Sequence, residues 1–184
     1  MIFSSLFFIF IFLPVSVAAY YLLPHKWRNV CLLVLSLAFY AWGEPVCVLL
    51  MLFIVVFDYG VGAAMERLRD RHAARKAALV FGICVNLGLL GYFKYAAMFV
   101  SAVGSVFSVS LPSPAAALPI GISFYTFESI SYLVDLYRGD APAQNSLLDF
   151  GTYISFFPHL VSGPIVRYRD MQAQLHDRKE SPEQ

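Results

Sequence analysis

The sequence predicts an all-α fold, a polytopic helical bundle integral to a membrane, with about five to seven membrane segments, some short or broken. Three observations point there. The 184 residues are 59% hydrophobic and only 14% charged, where a soluble domain has roughly 45–50% and about 25%. The mean hydropathy is +0.68. The apolar residues fall in runs near the ~20 that a helix needs to cross the hydrocarbon. Thirteen basic and twelve acidic residues leave a net charge of +1. That balance offers no basic face and excludes nucleic acid as a partner. Cys31, Cys47 and Cys84 are odd in number and lack a Cys-x-x-Cys spacing. Neither a disulfide framework nor a metal site is indicated.

The first segment is 2–23, with Pro14 as a kink. Ser16-Val17-Ala18 has the look of a signal-cleavage site, but no basic residue precedes the run. An uncleaved span is therefore expected. The second segment, 30–42, is short. The third is 45–65, followed by the polar loop "ERLRDRHAARK", Glu66 to Lys76. The fourth is 77–93, ended by Lys94. The stretch 95–109 is rich in Ala, Ser and Gly and either crosses or lies at the interface. A Pro/Ala/Ser loop leads to 119–137. The last piece, 147–166, contains Pro158 and Pro164, so a broken helix is expected. No repeat and no linker divides the chain, and 1–184 reads as one membrane domain, incomplete at its C-terminus.

Basic residues gather in cytoplasmic loops. With the N-terminus outside and 95–109 crossing, all the basic residues except Lys94 and Arg138 fall inside. Glu44 and the turn around Asp140 then fall outside.

Charged side chains inside a span cost several kcal/mol unless they face a partner, water or the bundle interior. Glu128 and Asp135 are seven residues apart, on nearly one helix face. Ser131 and Tyr132 share it, Tyr125 adds a hydroxyl near by, and Arg138 can pair with Asp135. This polar side either ties neighbouring helices together or lines a water-filled or substrate cavity. Asp58 and Asn86, on two different segments, can pair across a helix interface. His159 lies between two prolines, where freed backbone is tolerated only in protein or beside a cavity. It can serve as a general base or simply bond a carbonyl. No nucleophilic elbow or phosphate-binding glycine loop is present.

Several stretches resemble the membrane-bound O-acyltransferase family, in its alginate O-acetylation branch. They are "FSSLFFIFIFLP" (Phe3 to Pro14), "FYAWGEP" (Phe39 to Pro45), "DYGVG" (Asp58 to Gly62), "LGYFKYA" (Leu90 to Ala96), "LPIGISFYTFESISYLVDLYRGD" (Leu118 to Asp140) and "FFPHLVSGPIVRYRD" (Phe156 to Asp170). The resemblance implies the N-terminal portion of that family's fold in a bacterial cytoplasmic membrane. It implies transfer of an acyl group, acetyl in this branch, to hydroxyls of an extracytoplasmic polysaccharide such as alginate. Acetyl-CoA or another activated acyl group would be the donor, with no bound cofactor, and extracytoplasmic partner proteins would complete the transfer. Glu128, Asp135, Arg138, Tyr125, His159 and Asp58 would belong to the polar interior or tunnel. The family's catalytic histidine lies beyond the stretch matching Asp170, so no residue of 1–184 takes its role. His159 has at most a supporting one. Alone the chain is expected to be inactive, needing a C-terminal half. A non-enzymatic membrane subunit or a small transporter-like protein is the alternative.

Overall fold

The computed structural model describes residues 6–107, 119–160 and 167–171. Among them every regular element is helical. A π-helical stretch, Phe8–Phe12, runs into α1, Leu13–Leu22. The Leu13 N–H donates to the Phe8 carbonyl, five residues back. Pro14 explains the wider turn: its ring crowds the carbonyl four residues earlier and it has no N–H to give. Pro24, in extended conformation, then starts α2, His25–Gly43. This helix begins five residues before the expected 30–42 and carries Arg28 in its first turns.

α3 is Cys47–Arg67 and α4 is His72–Phe107. The 36 residues of α4 reach about 54 Å at 1.5 Å per residue, well beyond the ~30 Å of hydrocarbon. Segments 77–93 and 95–109 are therefore not separate crossings. No proline interrupts the helix at Lys94, whose ammonium rests 5.6 Å from the centre of the Tyr95 ring and can reach outward along its own stem.

α5, Ile122–Arg138, is bounded by two left-handed glycines, Gly121 (φ 77°) and Gly139 (φ 81°). At its end the N–H groups of Gly139 and Asp140 donate to Leu136 and Asp135 at 3.1 and 2.9 Å, a glycine stop. At its start, a Cβ on Gly121 would strike the Leu160 carbonyl oxygen. α6 is Leu147–Ser155, capped by Ser146, whose hydroxyl accepts from the Asp149 N–H at 3.2 Å. The chain breaks at Phe156, and α7, Phe157–Leu160, takes Pro158 into its first turn, where a missing N–H is harmless. Pro164 lies outside the described residues.

The helices alternate in direction. Asn29 at the start of α2 meets Asp149 and Thr152 of α6, and Ser36 accepts from the Phe157 N–H, so α2 and α6 run parallel. Asp58 meets Asn86, so α3 and α4 are antiparallel. Arg75 at the start of α4 donates to the Leu136 carbonyl at the end of α5, at 2.6 Å, and lies over the Tyr137 ring. Arg28, the Arg67–Lys76 loop, Arg138 and the turn at Asp140 therefore share one end of the bundle. This corrects the sequence reading, which puts the Asp140 turn opposite that loop. The error came from counting 95–109 as a crossing. Glu44, Gly121 and α7 occupy the other end, where Tyr40 meets Tyr125 and Phe8 packs on Phe39 and Phe157.

The core between these helices holds Met51, Ile54, Met65, Leu133, Phe150 and Ile154, all fully buried. The outside is apolar as well. α3 and residues His72–Ala96 of α4 are long and apolar enough to cross a membrane, and less than a third of each is buried. The remaining helices are shorter. The chain is an all-α membrane bundle with apolar outward faces.

Candidate functional site

α5 is the inner helix, in contact with α3, α4, α6 and α7. Its buried set is mixed: Ile122, Leu133 and Leu136 alternate with Tyr125, Thr126, Glu128, Ser129, Tyr132 and Asp135. With apolar neighbours and lipid outside, the polar groups of this helix gain only by turning inward. Glu128 and Asp135 are 3% and 4% exposed, so both carboxylates are inside the bundle.

Three polar groups of residues line up along α5. Towards the Glu44 end, Tyr125 is fully buried and meets Tyr40 edge to face at 6.5 Å. Their two hydroxyls face each other inside the bundle. Cys47 donates to Glu44 at 3.3 Å close by. In the middle, Asp58 of α3 and Asn86 of α4 are both fully buried. The Asn86 amide donates to the two Asp58 oxygens at 2.8 and 3.1 Å and to the Gly82 carbonyl at 3.0 Å. Ser129 faces the same carboxylate from α5.

Towards the basic end, Tyr132 accepts from the Gln144 N–H at 3.3 Å. Its ring lies 4.6 Å from Phe150 and 4.8 Å from Tyr168. Tyr153, against Tyr168 at 5.4 Å, lies in the field of both Glu128 and Asp135. One Asp135 oxygen and the Tyr168 hydroxyl are buried without a partner among the described residues.

The predicted residues do not all converge. Glu128, Asp135, Tyr125 and Asp58 are buried around α5. Arg138 is exposed and forms no ion pair with Asp135. As the last residue of the helix it reaches water, where a guanidinium keeps its hydration. The cations in the field of Asp135 are first Arg167 and Arg169, then Arg138. His159 belongs to α7, and its side chain lies outside the described residues. Sequence reasoning missed Tyr40, Tyr153, Tyr168 and Gln144. A tyrosine in an apolar run signals nothing until its neighbours across the bundle are known. Among the described residues no group of three or more His, Cys, Asp or Glu could hold a metal ion.

Fold and site together define a helical membrane protein with a polar interior built around one central helix. Comparison with known proteins narrows this. The chain is 43% identical over 182 residues to the probable alginate O-acetylase AlgI of Pseudomonas aeruginosa, covering 97% of this chain and 35% of that protein. It is 42% identical over 182 residues to the protein of the same name in Azotobacter vinelandii, covering 97% and 36%. The peptidoglycan O-acetyltransferase of Helicobacter pylori is 28% identical over 207 residues, covering 97% of this chain and 39% of its own length. No protein-family model and no solved structure matches the chain significantly. Along almost its whole length the chain is a homologue of the alginate O-acetylases, consistent with an N-terminal stretch of a membrane-bound O-acyltransferase. It spans about a third of the length of those relatives.

Proposed function

We propose that the chain forms the front part of an O-acyltransferase that moves an acetyl group onto hydroxyls of an extracytoplasmic polysaccharide such as alginate. The observation that carries this reading is the 43% identity to an alginate O-acetylase along 97% of the chain. The charge distribution supports a bacterial cytoplasmic membrane with the basic end inside and the N-terminus outside. In this reading the donor, acetyl-CoA or another activated acyl group, approaches from the basic end, and the polysaccharide meets it from the Glu44 end. The acceptor hydroxyl oxygen forms the new ester bond. Its proton passes to the donor's leaving group.

The buried face of α5 contributes the wall of the passage. Glu128, Tyr125 and Asp135 offer acceptors and hydroxyls inside a bundle otherwise closed by apolar side chains, and the Asp58–Asn86 pair holds α3 and α4 beside them. The general base of acyl transfer comes from residues outside 1–184, since no residue here matches the family's catalytic histidine. Extracytoplasmic partner proteins complete the transfer.

Deleting the coding sequence in its own cell and restoring it tests this. Ester-linked acetyl on the extracytoplasmic polysaccharide should disappear and return. Unchanged acetyl content after deletion would end the proposal.

A further inference from the structure

The outer faces of α3 and α4 are not featureless. On α3, Leu49, Phe53, Val56 and Gly60 are exposed at a spacing of three to four residues, which is one stripe of the helix. Seven residues beyond Gly60, on the same stripe, stands exposed Arg67. On α4 the stripe reads Lys76, Val80, Cys84 and Leu87, all exposed, with Phe81 beside it. The opposite side of α4, at Gly82, Asn86 and Leu90, is buried. The two stripes are neighbours: Phe57 meets Phe81 at 5.7 Å and stacks on Phe53 at 5.8 Å. They form one apolar trough along the α3–α4 hairpin.

Both stripes end in a cation at the same end of the bundle. Exposed Arg71 stands between them, one residue before α4. Its carbonyl accepts from the Arg75 N–H at 2.9 Å, so it sits at the positive end of the longest helix. Among the loop's acids, Glu66 is engaged by Arg69 at 3.5 Å, which leaves Asp70 against Arg67, Arg71 and Lys76.

We infer that this hairpin binds an anionic phospholipid, with the headgroup phosphate on Arg67, Arg71 and Lys76 and the acyl chains along the trough of Phe53, Val56, Val80 and Phe81. The shape argument is continuity: cations at the mouth of an apolar trough match a lipid that is charged at one end and apolar along the rest. Basic clusters at the membrane border attract anionic headgroups. A soluble phosphate compound would use the cations but leave the trough unexplained. A neutral lipid would use the trough but not the cations. The inference needs the membrane setting only and stands apart from the acyl-transfer reading.

The test is retention of phosphatidylglycerol against phosphatidylcholine of the same chains. It uses the protein released from its own membranes and examined intact by native mass spectrometry. Phosphatidylglycerol should be retained preferentially. Each of Arg67→Gln, Arg71→Gln and Lys76→Gln should weaken that preference about fivefold, and the triple change should abolish it. Exchanging Lys for Arg and Arg for Lys at the three positions should preserve it. If the triple variant does not fold, Lys76→Gln alone carries the test. Equal retention of the two lipids would overturn the inference. So would an unchanged preference in the glutamine variants, or displacement of the lipid by millimolar inorganic phosphate. Occupation of the trough by another polypeptide, seen as protein mass in place of lipid, would also overturn it.

Discussion

The side-chain amide of Asn86 donates to both oxygens of the Asp58 carboxylate, at 2.8 and 3.1 Å, in a place where neither residue is exposed at all. One nitrogen from α4 thus satisfies a buried acid on α3, while the Gly82 carbonyl takes part of the same donor. The pair fixes how α3 and α4 lie beside α5.

Asn86→Ala should therefore destabilise the bundle by about 0.6–2 kcal/mol, the spread for interhelical hydrogen bonds in membranes. Asp58→Asn should lose less, because an amide oxygen still accepts. Thermal unfolding in detergent, followed by circular dichroism, separates the two. Equal midpoints for Asn86→Ala and the native protein would contradict the role of the pair.

Gly62 and Gly60 make a second contrast on α3. A Cβ on Gly62 would collide with the Tyr132 ring and hydroxyl, while nothing lies within 4 Å of one on Gly60. Tyr132 cannot swing away freely, since it is held by Gln144, Phe150 and Tyr168. Gly62→Ala should cost about 1–3 kcal/mol, as overpacking does. Gly60→Ala should gain about 0.5–1 kcal/mol from helix propensity. The double change Gly62→Ala with Tyr132→Phe should recover part of the loss. Unfolding midpoints in one detergent check all three.

The placement of the Asp140 turn beside the Arg67–Lys76 loop is testable by sided labelling. Single cysteines at Arg71 and Asp140, in a background without the three native cysteines, should react with an impermeant maleimide from the same side of the membrane. A cysteine at Glu44 should react from the other. Labelling of positions 71 and 140 from opposite sides would contradict the continuous α4.

Much of this was legible in the residues, for physical reasons that differ between elements. Glu128 and Asp135 betray an inward face because an acid in an apolar helix has few other places to go. Asp58 and Asn86 could be matched because each is isolated within its own apolar run. Lys94 misled: one lysine looks like the end of a span, yet its stem lets the charge reach out while the helix continues. That single misreading reversed the placement of the Asp140 turn. Arg138 misled in a similar way, since spacing of three permits a pair with Asp135 but does not outweigh hydration at a helix end. The tyrosine contacts across the bundle, Tyr40 with Tyr125 and Tyr153 with Tyr168, had no local signal, because they depend on segments more than ten residues apart meeting in the fold.

The central claim is that the buried carboxylates of α5 serve acyl transfer. The most direct measurement is the ester-linked acetyl on polysaccharide made by cells carrying Glu128→Gln or Asp135→Asn in the native protein, compared at equal membrane abundance and equal unfolding midpoint. The account predicts that at least one variant loses acetylation by about tenfold or more, about 1.4 kcal/mol in the limiting barrier. Native acetyl levels in both variants, with the protein folded and abundant, would contradict it.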